Sequence, residues 1–99
     1  MLLARPSRVR KAGLTLSAPS PNPVSGQATL SFAVKDASEA EVVVYNVLGQ
    51  KVRTLYQGTP QAGQSKTLTL QARELPSGVY ILQLRADGQT RTKRLTVVR

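Results

Sequence analysis

Apolar residues recur at every second position along most of this chain. The clearest run is 28–34, where Ala28, Leu30, Phe32 and Val34 share one face and Thr29 and Ser31 the other. That is the two-residue period of a half-buried strand. Leu14 and Leu16 open a shorter run that ends at Ala18. Residues 41–46 hold the β-branched series Val42-Val43-Val44, closed by Tyr45, which predicts a strand with little exposure on either face. Residues 51–56 read as its returning partner, with Val52 and the region of Leu55 turned inward. Alternation resumes over 65–71 (Leu68, Leu70) and over 79–86, with Tyr80, Leu82 and Leu84 opposite Gln83 and Arg85. It ends over 90–98, with Leu95 and Val97 on the apolar face.

Turn chemistry separates these runs. Pro19, Pro21 and Pro23 remove three backbone donors and fix three φ angles, so 19–23 is expected to be an extended, rigid segment crossing between sheets, with Ser25-Gly26 turning after it. Residues 35–39 are polar and turn-like. Gly49, in Val47-Leu48-Gly49-Gln50, is placed where positive φ is needed. Gly58, Pro60 and Gly63 mark one loop, Pro76 and Gly78 another, and Asp87-Gly88 is a hairpin signal. Seven short strands with evenly spaced turns and no helical stretch predict an all-β fold, a seven-stranded antiparallel immunoglobulin-like β-sandwich.

Composition narrows the chemistry. The 99 residues suit one domain, which buries roughly 60–65% of its unfolded surface and has little room for a deep pocket. Residues 1–13 lack periodicity and read as a flexible basic leader or linker remnant, with the domain proper at 14–99. Cys and His are both absent, which excludes disulfides, thiolate nucleophiles, a Ser-His-Asp triad and most zinc sites. The net charge is +9, and the cations cluster at Arg5, Arg8, Arg10 and Lys11 and again at Arg91, Lys93, Arg94 and Arg99. Without the first cluster, ten cations face five acids, a net +5. Such a surface favours anionic partners without choosing among them. The chain has neither the apolar stretch of a signal peptide nor a transmembrane run, so a first export signal is expected to come from a segment attached N-terminally.

Three segments then carry a resemblance: Pro21-Asn22-Pro23 ahead of an alternating strand; Val44-Tyr45-Asn46-Val47-Leu48-Gly49-Gln50-Lys51-Val52; and Leu75-Pro76-Ser77-Gly78-Val79-Tyr80, followed by a strand, a glycine hairpin and the basic, apolar end Lys93-Arg94-Leu95-Thr96-Val97-Val98-Arg99. Each alone is weak, but in order and at these separations they resemble the C-terminal sorting domain of the type IX (Por) secretion system, type A, over residues 14–99. The resemblance implies a module covalently attached behind a secreted cargo. It would be recognised in the periplasm by type IX components and carried across the outer membrane to the cell surface or medium. A sortase-like cysteine peptidase commonly removes such a module and couples the cargo to anionic lipopolysaccharide. The family's recognition element is the last strand, which maps here to Lys93, Arg94, Leu95, Val97 and Val98. Members follow a large cargo, which this chain does not include; the expectation is therefore either an excised or mispredicted fragment or a stand-alone relic.

The remaining motif residues read first as structural. Pro21, Asn22 and Pro23 hold the crossing segment, with Asn22 bonding its own backbone in a turn; docking is the functional alternative. Gly49, Pro76 and Gly78 set backbone conformation. Tyr45 and Tyr80 pack, with a hydroxyl reaching a backbone carbonyl. For 91–99 a solvated, protected edge strand competes with a surface to which a partner adds a strand. Glu39 and Glu41 are the only closely spaced acids and have no accompanying base or nucleophile, and there is no phosphate loop. No enzyme, cofactor or metal is therefore expected. The competing readings are a structural module of an adhesin or hook-capping type and a weak nucleic-acid-binding domain. The latter lacks aromatic residues interleaved with its cations, so no specific nucleic acid is expected.

Overall fold

The computed structural model describes residues 13–35 and 39–98. The predicted leader up to residue 12, residues 36–38 of the predicted polar turn, and Arg99 lie outside the described residues. The described chain forms seven strands: β1 (Leu14–Leu16), β2 (Gln27–Val34), β3 (Ala40–Asn46), β4 (Lys51–Gly58), β5 (Lys66–Gln71), β6 (Gly78–Ala86) and β7 (Gln89–Val97). They make two antiparallel sheets in the orders β1-β2-β5 and β4-β3-β6-β7. One feature departs from the all-strand expectation: a single 3-10 turn at Ala72–Glu74, between β5 and β6.

Alternation explains the layers. Leu30 pairs with Leu68 and Ala28 with Leu70 across β2 and β5, while Val42 pairs with Leu84 and Val44 with Leu82 across β3 and β6. These side chains meet in one core with Leu14, Leu16, Phe32, Val34, Tyr80, Leu95 and Val97. The core leans on shape more than on polar contacts, since no polar or charged residue among those described is buried. Phe32 of one sheet reaches Tyr56 of the other with ring centroids 5.1 Å apart, a tilted aromatic contact across the sandwich.

Val43 is buried on the outer face of its sheet, so the central strand β3 is enclosed on both sides, as its unbroken valine run predicts. The returning strand is less regular. Between β3 and β4 the register slips at Val42/Val43 and again at Val44/Tyr45, leaving Leu55 and Val52 without a cross-strand partner. Simple alternation would send residues 52 and 55 to opposite faces. Two bulges reset it, and Val52, Leu55 and Tyr56 all pack on the core. The same irregularity lets Arg53 donate to the Gln71 carbonyl of the opposite sheet at 3.5 Å and pair with Glu74 at 3.0 Å.

The turns carry the expected signs of φ. Gly49 sits at φ 81° and Gly78 at φ 154°, values that disfavour any side chain. Asp87 and Gly88, at 53° and 73°, form the doubly positive turn that matches strand twist.

Candidate recognition surface at the last strand

The strand β7 is an edge strand, paired on one side with β6 from Gly78–Val97 to Ala86–Gln89. Its residues divide by parity. Leu95 and Val97 face the core and are 0% and 1% exposed. Lys93 pairs with the core-facing Leu82 yet remains exposed, an inward-pointing charge of the kind that blunts sheet edges. Arg94 lies on the outer face, opposite Ile81, and Val98 is 41% exposed. Of the five residues expected to form the recognition element, Lys93, Arg94 and Val98 therefore present themselves to solvent, and Leu95 and Val97 are core.

Two motifs that are far apart in sequence meet at this edge. The segment carrying Pro21 and Pro23 crosses from one sheet to the other, bridging Ser20 to Thr29 and then Val24 to Val97. It does not run straight: it bends between those bridges, with cis peptides at Ser20–Pro21 and Asn22–Pro23. Asn22 does not bond its own backbone, as a turn would have it. Its Oδ1 accepts the Thr96 N–H at 2.9 Å and its Nδ2 donates to the Arg94 carbonyl at 3.0 Å, over sequence separations of 74 and 72 residues. Both flanking prolines lack an N–H, so here the side-chain amide supplies the donor and acceptor that a neighbouring strand's backbone would supply. Val24 continues the pairing: its N–H donates to Thr96 O at 2.8 Å, and its carbonyl accepts the Val98 N–H at 2.9 Å. Val24 is fully buried and anchors the segment; in sequence it is a lone valine between turn residues, with no periodic neighbour to mark it.

These bonds close the edge of β7 only from the Arg94 carbonyl onward. Because Thr96 turns both backbone groups to the edge, residues two and four positions earlier do the same in an antiparallel ladder. The backbone N–H and C=O of Thr92 and the N–H of Arg94 thus face the open edge, with Arg91 and Lys93 on the core-facing side and Arg94 on the other. Among the described residues the one ion pair is Arg53–Glu74, so none of these cations pairs with a described carboxylate.

Tyr80 donates its hydroxyl to the Pro76 carbonyl at 2.6 Å, fixing the entry into β6 beside the end of β7. Tyr45 lies half-buried on the outer face without a hydroxyl bond, so the expected carbonyl contact holds for one tyrosine of the two. Gly49 closes a turn built by Asn46, whose Oδ1 accepts the N–H groups of Leu48 and Gln50 at 2.9 and 3.0 Å. Glu39 and Glu41 line an open depression at the opposite end of the sheet, where the Ala40–Ala86 register also brings Asp87 and Arg85. Among the described residues no three acids come together as a metal site, and no helix is long and apolar enough to cross a membrane.

Similarity to known proteins agrees with the motifs. No curated protein matches the chain. Residues 20–98 match the family described as the secretion system C-terminal sorting domain, a span running from the bridge at Ser20 through the clamp at Asn22 to the end of β7. The chain belongs to the family of type IX secretion C-terminal sorting domains.

Proposed function

We propose that this domain is a non-catalytic recognition module, read in its folded state by the type IX machinery through the open half of the β7 edge. The observation that supports this most is the half-closed edge itself. Asn22 and Val24 occupy it from Arg94 to Val98, while among the described residues nothing pairs with the outer edge at Thr92. An extended segment of a secretion component with acidic side chains adds there as a further strand; its main chain gives affinity, and Arg91, Lys93 and Arg94 select its charge. Leu95 and Val97 act indirectly, by seating the strand.

In this reading the cargo attached ahead of the domain passes through the periplasm and across the outer membrane to the surface or medium. A sortase-like peptidase cuts upstream of the sandwich, ahead of β1 at Leu14. The strand order, with the first, second and fifth strands in one sheet, and the Tyr80–Pro76 bond at the start of the sixth support an immunoglobulin-like assignment, with the fourth strand moved to the third strand's side. The absence of Cys and His supports the non-catalytic assignment.

The test is export of a reporter fused between a signal peptide and the full chain, in a host with the secretion system and in one without it. Deleting residues 93–99 is a poor comparison, because it removes Leu95 and Val97 from the core. The informative variant is Lys93→Gln with Arg94→Gln, both exposed. Export of the parent fusion only in the competent host, with the folded double variant retained in the periplasm, is expected. Equal export of both would exclude these cations from recognition.

A further inference from the structure

The turn between β3 and β4 is held by groups other than its apolar side chains. Asn46 accepts from Leu48 and Gln50 through Oδ1, bonds Gln50 Oε1 through Nδ2 at 2.9 Å, and receives the Gly49 N–H on its carbonyl at 3.0 Å. Nothing in that network requires a large hydrophobic residue at 47 or 48. Yet Val47 and Leu48 are 71% and 78% exposed.

The other two exposed large hydrophobics among the described residues, Val79 and Val98, stand at the same end of the four-stranded sheet. Val79 lies one residue beyond the last β3–β6 pair, Asn46–Tyr80, and pairs with Thr96; Val98 lies one residue past the end of β7. Behind them a cross-strand row on the outer face reads Lys51, Tyr45, Ile81, Arg94, apolar in the middle and cationic at both edges. The acids are sorted the opposite way. Glu39, Glu41 and Asp87 lie at the far end of the sheet, and Glu74, the remaining described acid, is tied to Arg53.

We infer that this pole docks on the surface of an anionic phospholipid bilayer. Val47 and Leu48 enter the boundary between headgroups and acyl chains, and Lys51 and Arg94 meet the phosphates. A bilayer fits better than a protein surface because the feature is convex and narrow: two adjacent side chains on a tight turn, with cations set back at the sheet edges. A protein interface of ordinary size needs about 800 Å² on each side. Shallow insertion needs only apolar tip area plus attraction to anionic lipid. The inference shares Arg94 with the strand-addition reading, but Val47, Leu48 and Lys51 lie outside β7, and their variants test the two separately.

The chain contains no Trp, so Leu48→Trp in the full chain gives a single emitter at the tip. With phosphatidylcholine–phosphatidylglycerol vesicles its emission shifts to the blue and is quenched by brominated acyl chains; with phosphatidylcholine alone it does not change. In co-sedimentation, Val47→Ser and Leu48→Ser each weaken binding about tenfold. Lys51→Gln and Arg94→Gln each weaken it roughly fivefold. All four variants keep Asn46 and Gly49, and unchanged thermal unfolding checks their fold. Absence of vesicle binding overturns the inference. So does binding with unshifted tryptophan emission, which would mean that the basic residues of 5–11 alone hold the chain. Tip variants that bind vesicles as the parent does yet lose export of a fused reporter would assign the pole to a protein and equally overturn it.

Discussion

Replacing Asn22 by Ala removes one side chain and leaves the two prolines, Val24 and β7 in place. Two hydrogen bonds are lost, from Thr96 N–H at 2.9 Å and to the Arg94 carbonyl at 3.0 Å. A net hydrogen bond contributes about 0.5–1.5 kcal/mol. Both of these are exposed, so water replaces part of each, and the combined loss is about 1.5 kcal/mol. For a domain of this size that lowers the midpoint of thermal unfolding by roughly 6–12 °C. Amide hydrogen exchange separates a local clamp from a general weakening. The acceptor of the Thr96 N–H is the Asn22 side chain, so in the variant that amide exchanges without any opening of the sheet. The Val98 amide, held by the Val24 carbonyl at 2.9 Å, slows or speeds only with the stability of the segment. Asn22→Asp keeps the acceptor but turns a lone pair toward the Arg94 carbonyl, so it restores Thr96 protection and only part of the stability. An Asn22→Ala variant that unfolds within ~0.3 kcal/mol of the parent, with Thr96 exchanging as slowly as before, would show that Asn22 does not clamp β7.

Other substitutions probe the core, the entry to β6 and the β3–β4 turn. Leu95→Ala opens a cavity at a fully buried position and costs about 2–5 kcal/mol in urea unfolding; a loss below ~1 kcal/mol would mean the end of β7 is not core. Tyr80→Phe removes the 2.6 Å bond to Pro76 and costs about 1 kcal/mol, with no loss of packing in the near-ultraviolet spectrum. Gly49→Ala must place a side chain at φ 81°, which costs about 1–2 kcal/mol although the space around it is open; a neutral outcome in thermal unfolding would show that the turn can adopt another geometry.

Period-two patterning made the strands legible because each element buries one face. Leu82, Leu84, Leu95 and Val97 could be placed in the core from spacing alone, and Val42-Val43-Val44 from its lack of alternation. Gly49 and Asp87-Gly88 were legible because their backbone conformations have few other solutions. What the pattern could not carry is contact at long range. The bond from Asn22 to β7 spans 72 residues or more and leaves no periodic trace; an Asn between two prolines signals a turn equally well. The two bulges in β4 were hidden for a related reason. Val52 and Leu55 have the wrong spacing for one face of a regular strand, and only the observed register shows how they share it. The last strand was legible as basic and apolar, but not as a split between the buried Leu95 and Val97 and the exposed Lys93, Arg94 and Val98. That split follows from which neighbour covers each position, and the short β1 and the crossing segment determine it.

Export of the fused reporter carrying Thr92→Pro measures recognition through the free edge of β7. Proline removes the N–H that faces the open edge and leaves the β6 ladder, made by Arg91, Lys93 and Leu95, intact. Thr92→Ala keeps that N–H and serves as the control. Strand addition at the free half of β7 predicts that the alanine variant is exported like the parent, while the proline variant, still unfolding cooperatively, stays in the periplasm. A folded Thr92→Pro variant exported at the parent level would contradict recognition through that edge.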